Sequence, residues 1–244
     1  MFIKRYGQGE RVFFGLHGWS GTHRTFEPLV PFLPPDATLY AVDLPGSGRS
    51  PRLASLDQES LSRAIAEAVN GLDADAITFI GNCSGAIQGL AALPAFAARV
   101  ERLVLIDPFA FTPWYFRLFV LPVFGRYAYY STFANPLGRW IANLSLKRHR
   151  TEETDLTESF GRIDHASVYR YLELLTQIDG IDQFAWIRHP IDIVHGERTF
   201  GAVRVSIERW KRIWPQARTF ELAGAGHLPI LEATEQLSRI IFNP

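Results

Sequence analysis

Five short runs of consecutive aliphatic, aromatic and β-branched residues constrain the fold most: residues 12–16, 39–42, 77–80, 103–106 and 191–194. They are continuous rather than alternating, so each reads as a strand covered on both faces. A turn signal follows every run: His17-Gly18, Asp43-Leu44-Pro45-Gly46, Gly81, Asp107-Pro108 and Gly196. Longer amphipathic stretches lie between them. Residues 55–72 read as a helix, with Ser55 and Gln58 suited to a capping box and Leu61, Ile65, Ala68, Val69 and Leu72 on one face. Residues 86–98 and 231–242 read as two more helices. Strands alternating with helices predict an α/β fold, a mostly parallel sheet flanked by helices with right-handed crossovers. Ligands then belong at the carboxyl ends of the strands, where the turns lie.

Residues 109–185 break this rhythm. Residues 109–140 hold 12 of the chain's 32 aromatic residues, mixed with Pro113, Pro122 and Pro136, and a charged, helix-patterned half follows. This segment is expected to be an inserted helical lid, with core sequence on either side at 1–108 and 186–244. So dense a set of aromatics beside the strand ends predicts an apolar pocket. Trp114, Phe116 and Phe119 are its candidate substrate contacts.

Composition narrows the function. With 244 residues, 47% of them apolar, the chain suits one domain with an insertion and excludes a disordered or collagenous protein. Lys plus Arg and Asp plus Glu number 25 each, a balance that argues against nucleic-acid binding by counterion release. The single cysteine, Cys83, excludes an internal disulfide and a multi-cysteine zinc site, and fits a reducing compartment. No apolar stretch has the length of a secretory signal or a membrane span. The expectation is a soluble, cytoplasmic protein with no metal and no cofactor, acting on a small molecule.

Ile80-Gly81-Asn82-Cys83-Ser84-Gly85-Ala86 joins a buried run to a helix. A nucleophile on so sharp a turn needs small residues two places to either side. Gly81 and Gly85 flank Cys83 at that spacing, whereas Ser84 would be flanked by Asn82 and Ala86. Cys83 is the candidate nucleophile, and the Ser84 N–H opens the helix towards a developing oxyanion. A buried structural thiol is the alternative.

Together with His17-Gly18-Trp19, Asp43-Leu44-Pro45-Gly46-Ser47-Gly48-Arg49-Ser50 and Gly224-Ala225-Gly226-His227, this turn resembles the α/β-hydrolases. The first two of these segments resemble small esterases of the pimeloyl-carrier-protein methyl ester type. The resemblance implies that Trp19 and Ser84 N–H groups form an oxyanion hole and that His227 is the general base. His17 reads as a hydrogen-bonded fixture of its loop.

Two departures stand out. Cys83 replaces the usual serine, as in dienelactone-hydrolase-like enzymes, and a thiolate paired with an imidazolium needs less from a third residue. In addition, Gly196-Glu197-Arg198-Thr199 carries Thr199 where the resemblance leads one to expect an aspartate. Asp107 is the favoured substitute, with Asp192, Glu197 or a bare Cys–His dyad as alternatives. The expected activity is hydrolysis of an apolar ester or thioester, carrier-protein- or coenzyme-A-linked acyl groups included. Acyl transfer to another acceptor and non-catalytic ligand binding are the alternatives. Lys147-Arg148-His149-Arg150 reads as a solvated helix face or as a docking patch for a carrier or a coenzyme phosphate.

Overall fold

The computed structural model describes residues 1–178 and 180–243. Seven strands form one sheet: β1 (Phe2–Gly7), β2 (Arg11–Leu16), β3 (Ala37–Asp43), β4 (Ile77–Asn82), β5 (Val100–Ile106), β6 (Ile191–Gly196) and β7 (Arg218–Leu222). Their order is β1-β3-β2-β4-β5-β6-β7, and only β1 runs antiparallel. The helices are α1 (Gln58–Asn70), α2 (Ser84–Ala92), α3 (Trp114–Arg117), α4 (Phe124–Tyr129), α5 (Pro136–Ser145), α6 (His165–Gln177), α7 (Gly201–Ile213), α8 (Pro229–Glu232) and α9 (Thr234–Phe242).

Side-chain alternation along the strands explains the continuous apolar runs. Leu103 and Leu105 of β5 join a core with Leu61 and Ile65 of α1, Leu90 of α2 and Trp210 of α7. Their neighbours Val104 and Ile106 join a second core on the opposite face, with Phe26, Leu29, Leu237 and Ile241. Each such side chain contributes about 1.5–3 kcal/mol on burial. A run that must satisfy two cores has no polar face to alternate with.

All five expected strands form. The edge strands β1 and β7 escape the apolar-run criterion because they are largely exposed, and edges tolerate charge. The capping box of α1 is Asp57 with Ser60, not Ser55 with Gln58: the Asp57 carboxylate accepts from Ser60 N at 2.8 Å, and Asp57 N donates to Ser60 Oγ at 3.1 Å. Ser55 instead donates to the Asp57 carboxylate. The helix expected over 86–98 starts earlier, at Ser84, and stops at Ala92, because Pro94 has no N–H to continue it. The expected terminal helix is divided at Ala233, where Thr234 Oγ1 donates to the Ile230 carbonyl.

Between β5 and β6 every described regular element is helical. Tyr129, Phe133, Phe160, Val168 and Leu172 give this segment a core of its own. Trp19, from the loop after β2, is packed into it, with ring centroids 4.9 Å from Phe160 and 5.1 Å from Phe133.

Under β6, Asp192 forms ion pairs with buried Arg102 and with Arg218, and Arg102 also donates to the Ile241 carbonyl at 2.9 Å. Removing the carboxylate strands a buried guanidinium. Asp192→Asn is expected to lower stability by about 3–5 kcal/mol, read as a shifted denaturant midpoint.

Candidate active site

The turn after β4 carries Cys83 with φ +51° and ψ −118°, a conformation rare for a residue with a side chain. Cys83 N donates to the Ile106 carbonyl at 2.8 Å, which ties the turn to the end of β5. The flanking glycines are required by close approach. A Cβ on Gly81 would lie 2.4 Å from Ala86 Cα, and one on Gly85 would lie 2.3 Å from the His17 carbonyl oxygen. The loop after β2 crosses just as closely, since a Cβ on Gly18 would sit 3.0 Å from Cys83 Cβ. The sulfur-bearing residue is half-buried and faces a cleft of about 1610 Å³.

His227 enters from the loop after β7 and lines the same cleft as Cys83, close enough for a charge on the sulfur to act on its imidazole. Nδ1, on the other side of the ring, lies 2.7 Å from Asp107 Oδ2. A carboxylate only accepts, so Nδ1 carries the hydrogen and Nε2 is left for the sulfur. Burial opposes a charged imidazole. The hydrogen bond to Asp107 and the negative charges of Cys83 and Asp107 outweigh it and push the His227 pKa from the ordinary 6.5 up to about 10.

Asp107 is fully buried at the end of β5, with φ +47°. Three donors converge on it: His227 Nδ1 and Thr199 Oγ1 on Oδ2, the latter at 2.6 Å, and Gly196 N on Oδ1 at 3.2 Å. Thr199, the apparent departure from the expected pattern, is therefore a hydrogen-bond donor to the carboxylate that stands in its place. The other carboxylates lie elsewhere. Asp192 is held by its two arginines, and Glu197 accepts from Gly224 N at 2.7 Å.

Trp19 and Ser84 N–H groups have no hydrogen-bond partner among the described residues. Trp19 is fixed by its own indole, which donates from Nε1 to the Val168 carbonyl at 2.8 Å. His17 behind it accepts from Leu44 N at Nε2, 3.0 Å, and donates from Nδ1 to the Gly18 carbonyl at 2.8 Å. Burial lowers the His17 pKa to about 4, so it stays neutral and holds the loop.

Of the three candidate substrate contacts, Phe116 and Phe119 line the cleft and Trp114 does not. It is 72% exposed and meets the Tyr115 ring edge-on, because α3 is one turn long and can aim only one side inward. Three contributors were not legible in the sequence. Tyr115 lines the cleft beside Cys83, and burial pushes its phenol up to about 12, with the Cys83 charge adding to the rise. Phe200 lies against the His227 ring at 4.6 Å. His149, from the basic cluster, accepts His227 N on its carbonyl at 2.8 Å. Among the described residues, no group of three or more His, Cys, Asp or Glu could hold a metal ion.

A family model described as alpha/beta hydrolase fold matches residues 12–234. The chain belongs to the α/β-hydrolase family. A pimeloyl-[acyl-carrier protein] methyl ester esterase of Aromatoleum aromaticum is 27% identical, with 93% of this chain and 94% of that protein aligned. A probable serine hydrolase of Drosophila melanogaster is 31% identical over 43% of this chain, which spans about 33% of that longer protein. Among solved structures, a thermophilic esterase from Thermogutta terrifontis superposes with a TM-score of 0.79 at 19% identity, covering 98% of this chain and 90% of that one. The enol-lactonase of Burkholderia xenovorans superposes with a TM-score of 0.76 at 16% identity, covering 98% and 94%. Both structural likenesses concern this α/β-hydrolase's fold.

Proposed function

We propose that this α/β-hydrolase cleaves an apolar ester or thioester through an acyl group carried on Cys83. The observation that carries the reading is the convergence of Cys83, on its strained turn, and the Asp107-bonded His227 on one apolar cleft. With the thiol proton already resting on His227 Nε2, the thiolate attacks the carbonyl carbon, whose π electrons move onto oxygen. The free N–H groups of Trp19 and Ser84 suit that oxyanion, each contributing about 3–4 kcal/mol. The tetrahedral intermediate collapses, the leaving oxygen or sulfur takes the proton from His227, and water then releases the acid by the same steps in reverse. Residues 109–185 act as the lid over this reaction. The relatives' printed activity, ester cleavage on a carrier-linked acyl chain, supports an acyl substrate of that class.

The sulfur itself favours a second reading. A thioester intermediate is attacked by amines and thiols more readily relative to water than an oxygen ester is. The protein would then be an acyltransferase.

Incubation with activated aryl esters and acyl thioesters is expected to give product and a mass increase of one acyl group on Cys83. A folded protein that shows neither over a broad panel overturns the proposal. Release with and without added amine, thiol or alcohol separates hydrolysis from transfer.

The raised His227 pKa gives the pH profile a sign. The imidazolium that protonates the leaving group persists through neutral pH, so kcat/KM is expected to fall only as pH rises towards about 10. The same shift stabilises the fold fully below pH 6.5, and that contribution is lost as pH rises through about 10. Melting temperature should therefore decline over this window, and His227→Gln should flatten the decline.

A further inference from the structure

Ten of the fourteen large apolar side chains exposed on the described surface come from one stretch, residues 114–144. Helix α5 within it buries none of its residues, yet Leu137, Trp140, Ile141 and Leu144 recur at the spacing of a single helical face. That apolar face is turned to solvent. Phe124 at 77% and Trp140 at 63% exposure are among the most exposed side chains of the set. Helices α3, α4 and α5 follow one another through the short helical segments Leu118–Val120 and Tyr130–Ala134, against which they pack.

Charge distinguishes the occupant of this surface. The sequence holds no acidic residue between Asp107 and Glu152, although the chain as a whole is neutral. Arg117, Arg126, Lys147 and Arg148 are exposed there and pair with no carboxylate among the described residues. We propose that the outer surface of residues 114–148 adsorbs to the interface of an anionic phospholipid bilayer. Tryptophan and tyrosine among aliphatic side chains, with lysine and arginine beside them, is the chemistry that seats a helix at the headgroup level. A second copy of the chain would bring the same unpaired cations face to face. An acidic protein would answer the cations but would not need ten exposed apolar side chains.

The surface also continues into the cleft. Leu118 and Ile141 are both exposed and line the cavity that holds Cys83. An apolar acyl chain would thus pass from bilayer to cleft along hydrocarbon. Adsorption itself does not depend on the chemistry of Cys83.

The test is co-sedimentation of the full chain with vesicles of phosphatidylcholine alone and of phosphatidylcholine mixed with phosphatidylglycerol. Binding is expected to favour the anionic vesicles and to weaken as salt rises from about 0.1 to about 1 M, where the screening length falls from about 10 to about 3 Å. Lys147→Gln with Arg148→Gln should weaken it about 30-fold. Phe124→Ser and Trp140→Ser should each weaken it about tenfold or more. Neither of these two residues lines the cleft, so cleavage of a water-soluble ester should be retained. As a readout on the unaltered chain, brominated anionic lipids should quench tryptophan fluorescence. Cys83→Ala should bind vesicles as the parent does, which separates this inference from the hydrolase reading. The proposal is overturned by any of four results: no binding to anionic vesicles, binding indifferent to these substitutions, a dimer that buries the tryptophans, or capture by an acidic protein with no vesicle binding.

Discussion

Replacing Cys83 by alanine is expected to lower kcat/KM by about 10⁴–10⁶-fold, the range found when a nucleophile is removed from such a unit. The cleft walls are untouched, so KM should change little and the fall should appear in kcat. The φ of +51° at this position is no easier for alanine, so the variant gains no relief from backbone strain. Cys83→Ser keeps an atom in place and should lose less, accumulating an oxygen ester in place of a thioester. Initial rates combined with intact-mass measurement decide the matter. Residual activity within tenfold of the parent in the alanine variant would remove Cys83 from the mechanism and leave only the architecture.

Asp107→Asn should cost about 10³-fold in kcat/KM, less than the roughly 10⁴-fold seen when a serine nucleophile loses its third partner. Three donors converge on two carboxylate oxygens here, and an amide offers only one acceptor. Its nitrogen must face either Gly196 N or the pair His227 Nδ1 and Thr199 Oγ1. At least one donor is left unanswered in a fully buried site, so stability should fall by about 1–3 kcal/mol as well. The informative readout is the pH profile. Loss of the Asp107 charge lowers the His227 pKa, so the alkaline fall should move below its parent position near 10. An asparagine variant with an unchanged profile and a rate within tenfold would favour a bare Cys83–His227 dyad. Thr199→Val, which removes one donor and no charge, should shift the profile much less.

The sequence made some of this legible and hid the rest. Strands β2 to β6 announced themselves because two-sided burial writes itself as an unbroken apolar run. The spacing of Gly81 and Gly85 about Cys83 was legible for a similar reason: backbone atoms lie within 2.4 Å of where any Cβ would be, so no other residue fits. By contrast, β1 and β7 meet solvent and carry no such run. Trp114 was misplaced because composition says that a segment is aromatic but not which side of a single turn faces inward.

What the order of residues determined alone was local: which stretches must be covered on both faces, where the backbone must bend sharply, and that a thiol sits on that bend. Tertiary structure decided which carboxylate meets His227. The sequence favoured Asp107 but left Asp192 and Glu197 open, and only the fold puts one against the imidazole, one between two arginines and one on a surface loop. Thr199 likewise became meaningful only beside Asp107, 92 positions away in the chain. The physical reason is range. Backbone preference and burial act within a few residues and leave a periodic trace, whereas a hydrogen bond between distant side chains depends on where the sheet brings its strand ends together.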